Sequence, residues 1–255
     1  MSKAKVFVFD IETLPCTGTF WRPGYQISVP YDNITKHSQM AMWSGKYLGD
    51  KKIYTMNGHD HGHENMVAEL WKHLDESHAV VAHNGNRFDR KWANTEFLLN
   101  GHTPPSVAKW IDTLTVARGQ FNFESNRLDA IADTLGVGRK IKTEYSLWQD
   151  WMKGDKKAIR KMTKYCNQDV MVLQGVYYKL RPWIRRHPNL AIMSDPQGRP
   201  TCGHCGNTKV VNKGLSYTSG GVYRRWKCTD CGTNLKSRKT QISVEDKNNC
   251  LMEDA

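Results

Sequence analysis

The chain has 255 residues, 39% of them hydrophobic and 10% aromatic, a composition that suits a globular protein with a sizeable buried core. Its formal net charge is +12, and nine basic side chains against Asp230 alone lie between residues 199 and 240. No apolar run approaches the roughly 18 residues that a membrane span needs, and the N-terminal residues do not resemble a signal peptide. The composition therefore excludes a membrane protein and predicts a cytoplasmic one. The charge favours a polyanionic partner such as nucleic acid, with a generally soluble basic surface as the alternative.

Hydrophobic periodicity and turn residues predict an alternation of strands and helices. In chain order, the predicted elements are a central strand over 5–9, a long loop over 14–37, strands over 40–48 and 52–56, a helix over 63–76, a strand over 78–83, a helix over 87–99, a strand end and short helix over 111–121, a helix over 128–135, and helix from 146 to about 184. This order predicts an α/β fold whose sheet has mixed strand directions.

Turn-forming residues divide the chain into parts of different composition. The segment Asp195–Pro200 is rich in Pro and Gly, which is typical of a linker. The predicted organisation is an α/β domain over residues 1–190, a linker over 191–200, a small cysteine-containing unit over 201–240, and a disordered tail over 241–255.

Acidic residues occur at three predicted element ends or helix faces. Asp10 and Glu12 follow the first strand, and because their spacing is two, both carboxylates face one side of an extended chain. Asp89 is predicted in the first turn of a helix, where an acid also interacts favourably with the helix dipole. Tyr165 and Asp169 are four residues apart on one predicted helix face. Each feature alone has an ordinary structural explanation.

Together, these motifs resemble those of the DEDD superfamily of 3′→5′ exonucleases, also called DnaQ-like, which have the ribonuclease H-like fold. That family has an Asp-x-Glu motif, a second motif of the type Asn-x-x-x-Phe-Asp, and a third motif Tyr-x-x-x-Asp. The matching segments here are Phe9-Asp10-Ile11-Glu12-Thr13, His83-Asn84…Phe88-Asp89 and Tyr165…Asp169. Position 164 is Lys rather than His, so the resemblance is to the tyrosine subgroup (DEDDy) shared with polymerase proofreading domains. It covers about residues 5–185.

The resemblance implies a ribonuclease H-like mixed sheet flanked by helices, and a metal-dependent 3′→5′ exonuclease. Such an enzyme would act on single-stranded 3′ ends, of DNA in preference to RNA, and release nucleoside 5′-monophosphates by a two-metal-ion mechanism. The alternatives are a 3′→5′ exoribonuclease and a catalytically inactive nucleic-acid-binding adaptor with the same fold. The resemblance also makes a bacterial or phage replication or repair enzyme plausible.

The resemblance also implies a role for each motif residue. Asp10, Glu12, Asp89 and Asp169 would hold two Mg²⁺ or Mn²⁺ ions, for which carboxylate oxygens are suitable ligands. Tyr165 would orient the attacking water or the scissile phosphate, since a phenol with a pKa of about 10 is a poor base at neutral pH. Asp112 and His83 are interpreted as structural. His59, His61 and His63 are interpreted as an exposed turn.

Contacts to nucleic acid are predicted beside the motifs. Thr13 and Leu14 occupy the place where family members touch the terminal nucleotide, and Asn84 and Phe88 belong to the second motif. A row of cations on one helix face, formed by Lys153, Lys157, Arg160 and Lys164, predicts a phosphate-contacting ridge, with a solvated helix face as the alternative.

Two Cys-x-x-Cys pairs near the C-terminus predict a structural zinc site. Cys202 and Cys205 form one pair, and Cys228 and Cys231 form the other, each followed by a glycine that permits a tight turn. The pattern is typical of a zinc ribbon with four cysteine ligands and one Zn²⁺, and a unit of this size has too little core to fold without metal.

Cations and an aromatic side chain lie on the second arm of the predicted ribbon. Arg224, Arg225 and Trp226 combine charge with a stacking surface, which favours nucleic acid as the partner of the ribbon. The alternative is docking of a replication or repair protein.

Overall fold

The computed structural model describes residues 4–22, 28–106, 109–139, 141–193 and 198–251. The chain divides into two compact units, one over Lys5–Tyr177 and the other comprising the chain from Tyr178 onward. Part of the predicted linker, residues 194–197, lies outside the described residues. No described helix combines the length and the apolar character that crossing a membrane would require.

Strands and helices alternate through the first unit, as the hydrophobic pattern predicts. The strands are β1 (Val6–Leu14), β2 (Thr17–Gly18), β3 (Ile34–Lys36), β4 (Gln39–Tyr47), β5 (Tyr54–Asn57), β6 (Ala79–Ala82) and β7 (Trp110–Asp112). The helices are α1 (Gly58–His61), α2 (His63–Asp75), α3 (Asp89–Leu99), α4 (Thr113–Gln120), α5 (Leu128–Thr134), α6 (Ser146–Met152) and α7 (Lys156–Leu180), with a 3₁₀ turn at Tyr31–Asn33.

A five-stranded sheet with the strand order β5-β4-β1-β6-β7 forms the centre of this unit. The strands β1, β6 and β7 run parallel to one another, whereas β4 runs antiparallel to both β1 and β5. Helices cover the sheet, so the predicted fold class, a mixed sheet flanked by helices, is confirmed. The first predicted strand, β1, lies in the middle, as expected from its continuous apolar run.

Alternate residues of β1 belong to different cores. Phe7, Phe9 and Ile11 pack with residues of α2 and α3 in one cluster. A second cluster, formed largely by residues of β4, α6 and α7, includes Met42 and Cys166. Gly45 of β4 lies beside the Phe7 ring, where a Cβ atom would come within 2.2 Å of the ring. Only glycine therefore fits at this position without movement of the core.

The elements differ from the predicted ones in several places. The strand β1 continues through Asp10 and Glu12 to Leu14 because β4 pairs with it along that length. The predicted loop over 14–37 contains the short antiparallel pair β2 and β3. The predicted helix from residue 146 is interrupted between α6 and α7, where Gly154 adopts a positive φ and Asp155 accepts a hydrogen bond from the Ala158 main-chain nitrogen.

The histidines interpreted as an exposed turn are instead part of helices. His59 and His61 lie in α1, which Asn57 caps by accepting a hydrogen bond from Asp60. His63 begins α2, and its Nε2 lies 2.8 Å from Oε2 of the buried Glu96. The sequence pattern did not indicate the contact of His63 because Glu96 lies 33 residues further along the chain.

The second unit contains a three-stranded antiparallel sheet. Its strands are β8 (Val210–Thr218), β9 (Gly221–Cys228) and β10 (Asn234–Thr240), with β9 in the middle. Part of the tail that was expected to be disordered forms the short helix α8 (Val244–Asn249). Ser243 begins this helix by accepting a hydrogen bond from the Asp246 main-chain nitrogen, a cap that compensates for the absence of buried residues in α8.

Candidate active site and metal centre

Two acidic side chains project from the end of β1 towards α7. Asp10 and Glu12 alternate with the buried Phe9 and Ile11, and both are partly exposed. The pairing of β1 with β4 shifts by one residue between Glu12 and Thr13, which leaves Ala41 as an extra residue on β4. Such bulges commonly occur beside active sites, where they change the direction of a strand and its side chains.

Asp89 reaches the same region from the first position of α3. Its carboxylate accepts a hydrogen bond of 3.2 Å from the main-chain nitrogen of Ile11, and the side chain is 1% exposed. Burial, followed by the negative charge of Asp10, raises the pKa of Asp89 well above its usual range. A buried carboxylate next to another acid is favourable only with a compensating cation or a proton.

The helix α7 supplies the third group of side chains. Tyr165 lies beside Asp169, which is 1% exposed. Burial raises the pKa of Tyr165, and the negative charges of Glu12, Asp169 and Asp10 raise it further. The phenol therefore keeps its proton at neutral pH and can donate a hydrogen bond but not act as a base.

Cys166 is a neighbour of the acidic cluster that the sequence analysis did not identify. One ligand atom from each of Asp10, Glu12 and Cys166 lies within 4.8 Å of the other two. The thiol is fully buried and contacts the Asp10 carbonyl oxygen at 3.7 Å, and burial raises the pKa of this thiol well above its usual range. The position of Cys166 directly after Tyr165 could have indicated that it lies near the acids. The apolar pattern of the helix, however, predicted only a core residue.

The donor set fits hard divalent cations. Carboxylate oxygens dominate the cluster, and they are the ligands that Mg²⁺ and Mn²⁺ prefer, with water and phosphate completing the shell. Two of the acids are almost fully buried, and their negative charges raise the pKa values of neighbouring groups. Cations bound among these carboxylates would offset both the burial and the mutual repulsion.

A groove of about 1100 Å³ lies beside Tyr165. Its lining includes Asn84 and Tyr165 and four exposed cations: Arg118, Arg127, Arg139 and Lys142. Arg127 and Arg139 form surface ion pairs with Asp129 and Asp133 at 3.1 and 3.0 Å. The sequence analysis missed all four cations because they come from separate segments that share no periodicity.

The predicted contacts near the acids differ in accessibility. Thr13 is partly exposed, whereas Leu14 is only 7% exposed and packs in the core cluster of α6 and α7. Phe88 is 37% exposed, and its ring packs edge-on against Trp92. Asn84 adopts a φ of 64°, a left-handed conformation that is uncommon outside glycine and places the residue at the mouth of the groove.

The predicted cationic ridge is shorter than expected. Lys157, Arg160 and Lys164 lie exposed on α7. Lys153 follows the end of α6 and contacts Asp150 at 3.0 Å, so the interruption at residues 153–155 removes it from the helix that carries the others.

Asp112 and His83 make the contacts expected of structural residues. The Asp112 carboxylate accepts hydrogen bonds from the main-chain nitrogens of Asn84 and Asn86 and caps α4. His83 contacts the Thr113 hydroxyl at 2.9 Å and the Asn126 carbonyl oxygen at 3.0 Å. These contacts fix the turn between β6 and α3, and thereby the position of Asp89.

The four cysteines of the second unit converge. Cys202, Cys205, Cys228 and Cys231 have sulfur atoms within 4.8 Å of one another, and two of the separations are 3.6 and 3.7 Å. A tetrahedral zinc with Zn–S bonds of about 2.3 Å requires S–S distances of about 3.8 Å. The arrangement therefore fits a four-cysteine zinc site.

The turns between the cysteines have the expected backbone. Gly206 and Gly232, which follow the two pairs, have φ values of 72° and 79°, and each donates a hydrogen bond to the carbonyl of the first cysteine in its pair. His204 contacts the Arg181 carbonyl oxygen at 3.0 Å through Nδ1. Its ring also stacks on His187.

A sequence model of the RNase H superfamily matches residues 31–181, which is more than half of the chain. The chain belongs to the RNase H superfamily. The match includes Asp89, Tyr165 and Asp169 and begins beyond Asp10 and Glu12.

Similar proteins include polymerases. This RNase H superfamily member is 29% identical over 159 residues to a PolC-type DNA polymerase III of Ureaplasma parvum, in an alignment that covers 54% of this chain and 10% of the relative. The structure is similar to the family B DNA polymerase of the archaeon Pyrobaculum calidifontis, with a TM-score of 0.53 and 17% identity. That similarity covers 71% of this chain and 25% of the polymerase, so the chain spans a minor part of both proteins. Together with the family match, they support the RNase H-like fold.

Proposed function

We propose that this protein is a metal-dependent 3′→5′ exonuclease that hydrolyses single-stranded nucleic acid, DNA in preference to RNA. The proposal rests chiefly on how the acids meet at the end of β1, where Asp10 and Glu12 lie within 4.8 Å of each other. Asp89 accepts a hydrogen bond from the residue between them, and Tyr165 lies close to Asp10, Glu12 and Asp169. The partial similarity to two DNA polymerases supports the choice of DNA as substrate.

The four carboxylates would hold two Mg²⁺ or Mn²⁺ ions, which supply an activated water and stabilise the charge that develops on the phosphate oxygens. Asp10 and Glu12 project from the part of β1 that pairs with β4, and Asp89 is tied to the same strand through the Ile11 main chain. Asp169 completes the set from α7. Each acid thus comes from an element whose position is fixed by packing, as a metal site requires.

Tyr165 positions reactants rather than transferring a proton. Its raised pKa keeps the hydroxyl protonated, and the hydroxyl lies beside the acids and lines the groove. It can therefore donate a hydrogen bond to the scissile phosphate or hold the attacking water. Arg118 and Lys142, which also line the groove, provide positive charge for the phosphates of the preceding nucleotides.

The decisive experiment is a time course on DNA and RNA oligonucleotides labelled at either end, with and without Mg²⁺. A 3′→5′ exonuclease releases a 3′ label at once as a mononucleotide and converts a 5′-labelled strand into a ladder of shorter products. Early release of the 5′ label would contradict the proposed direction. Cleavage of circular single strands would contradict an exonuclease, because a circle has no end. Faster degradation of RNA would reverse the proposed preference.

Variants connect the activity to the site. Asp10→Ala and Asp169→Ala should abolish hydrolysis and leave nucleic-acid binding largely intact, because each removes a metal ligand. Asp150→Asn is the matched control, since its exposed side chain lies on α6 outside the cluster. Near-normal cleavage by either alanine variant would rule out the proposed site.

A further inference from the structure

The sheet of the second unit has two chemically different faces. Successive side chains of β9 point to opposite faces of the sheet. The pairing of β9 with β8 and β10 shows which of their side chains lie on each face. The cationic face consists of Tyr223, Arg225 and Lys227 of β9 with Lys236 of β10. The opposite, more apolar face includes Val222, Arg224 and Trp226 of β9 with Leu215, Tyr217 and Leu235.

This division separates residues that the sequence grouped together. Arg224, Arg225 and Trp226 are consecutive and were predicted to contact one ligand. In the paired strand, Arg225 points away from the face that carries Arg224 and Trp226. One extended ligand strand cannot contact all three, so the two faces require separate consideration.

The cationic face brings like charges together. Arg225 lies directly opposite Lys236 on the neighbouring strand, and Lys227 follows two residues along on the same face, about 6.6 Å away. Like charges directly opposite each other destabilise a sheet unless an anion lies between or above them. All three side chains are exposed.

No carboxylate in the described part of the second unit pairs with these cations. The Arg225 guanidinium donates to the Lys213 carbonyl oxygen at 3.0 and 3.2 Å, and the Lys236 ammonium lies 4.8 Å from the centre of the Tyr223 ring. Asp230 is the only acid between residues 201 and 240. Among the described residues, the positive charge of this face is therefore not neutralised by an ion pair.

We infer that the cationic face binds the phosphate backbone of single-stranded nucleic acid. Rows of lysine and arginine beside an aromatic ring are the groups that contact phosphates and bases of single strands without sequence preference. The choice of nucleic acid over other polyanions rests on the proposed function, because the same chain carries the proposed exonuclease site. The face would hold the strand away from its 3′ end during successive cuts.

The test compares charge reversals on the two faces. Binding of the full-length zinc-loaded protein to a fluorescent 30-nucleotide single strand is measured by anisotropy across a salt titration, with Ca²⁺ in place of Mg²⁺. At 0.1 M salt, each phosphate contact to a single strand contributes about 0.7 logarithmic units, or about fivefold in affinity. Lys227→Glu with Lys236→Glu should thus weaken binding about 25-fold and lower the salt slope by about 1.4.

Arg224→Glu is the matched control for the single variant Lys227→Glu, because both make the same charge change on β9 but on opposite faces. Lys227→Glu alone should weaken binding about fivefold and lower the salt slope by about 0.7. The salt slope of Arg224→Glu should stay at the wild-type value. A zinc content of one ion per chain confirms that the ribbon of each variant is folded. If the variant with both lysines replaced by Glu loses zinc, the variant Lys227→Gln with Lys236→Gln replaces it.

Equal losses in Arg224→Glu and Lys227→Glu would overturn the assignment of the face, since only net charge would then matter. Unchanged binding in the double variant would also overturn it and favour docking of a protein. Hydrolysis of a short oligonucleotide by the wild-type protein reports separately on the exonuclease. Failure of that reaction alongside a changed salt slope would contradict the proposed function but not the nucleic-acid-binding face.

Discussion

Replacing Asp10 by Asn should stabilise the protein when Mg²⁺ and Mn²⁺ are absent. The Asp10 and Glu12 carboxylates lie within 4.8 Å of each other. Two unit charges at that distance repel by about 3.5 kcal/mol at an effective dielectric constant of about 20, and by about 0.9 kcal/mol in bulk water. Because both side chains are partly exposed, we expect a gain of about 1–3 kcal/mol, since Asn keeps the shape and removes the charge.

Added metal should reverse this advantage. A cation that binds only the folded protein stabilises it by about 2.7 kcal/mol at a concentration 100 times its dissociation constant. The wild-type protein should therefore become markedly more stable in Mg²⁺ or Mn²⁺. The Asn variant should gain much less, because it has lost one ligand.

Thermal and urea unfolding followed by tryptophan fluorescence measure both effects. The full chain is used with micromolar zinc and no strong chelator, so that the cysteine site stays loaded. Asp150→Asn is the control for removing one negative charge from a basic protein. If Asp10→Asn destabilises the metal-free protein, or retains the full metal-induced gain, the reasoning about this cluster is wrong.

Three further predictions address other parts of the chain. Tyr165→Phe should lower turnover substantially while the stabilisation by Mg²⁺ or Mn²⁺ remains, because no carboxylate is lost; loss of metal affinity in a titration would show that its role is different. Truncation after Gly198, or Cys228→Ser, should preserve hydrolysis of short oligonucleotides. Either change should also make the salt dependence of binding to long strands shallower. An unchanged salt slope would indicate that the ribbon docks a protein instead. The hydrogen bond to Glu96 raises the pKa of His63 above 6.5. The stability difference between wild type and His63→Gln should thus be largest below pH 6.5 and shrink as the pH rises through the raised pKa, which urea unfolding at pH 6 and 8.5 can measure.

Much of the fold could be predicted because local pattern and tertiary packing agree. The helices α2 and α3 and the strand β6 lie close to their predicted bounds, since each has a continuous apolar face. The end of β1 was placed too early for a physical reason. Acidic residues normally end a buried strand, but here β4 pairs with β1 beyond Asp10 and carries the acids into a site.

The site was predictable only in part. The spacing of Asp10 and Glu12 fixes their common face, and the spacing of Tyr165 and Asp169 fixes theirs, because both follow from local geometry. The proximity of Asp89 to Asp10 depends on how α3 enters the sheet edge, which no local pattern contains. The cations of the groove depend in the same way on α4, which carries Arg118, meeting the segments that carry Arg127, Arg139 and Lys142.

Asp89 and Asp112 illustrate how the structure separates a proposed ligand from a structural acid. Both are buried and both lie near the end of a parallel strand. Asp112 accepts hydrogen bonds from the main-chain nitrogens of Asn84, Asn86, Leu114 and Thr115, so its charge is compensated by the turn and the helix it caps. Asp89 accepts a main-chain hydrogen bond from Ile11 and stands against the charge of Asp10, which together with burial raises its pKa. The Asp89 carboxylate is favourable in its position when a bound cation compensates its charge, whereas the Asp112 carboxylate does not need a cation. This difference in compensation, rather than burial, is the physical reason to include Asp89 in the metal site and to leave Asp112 out.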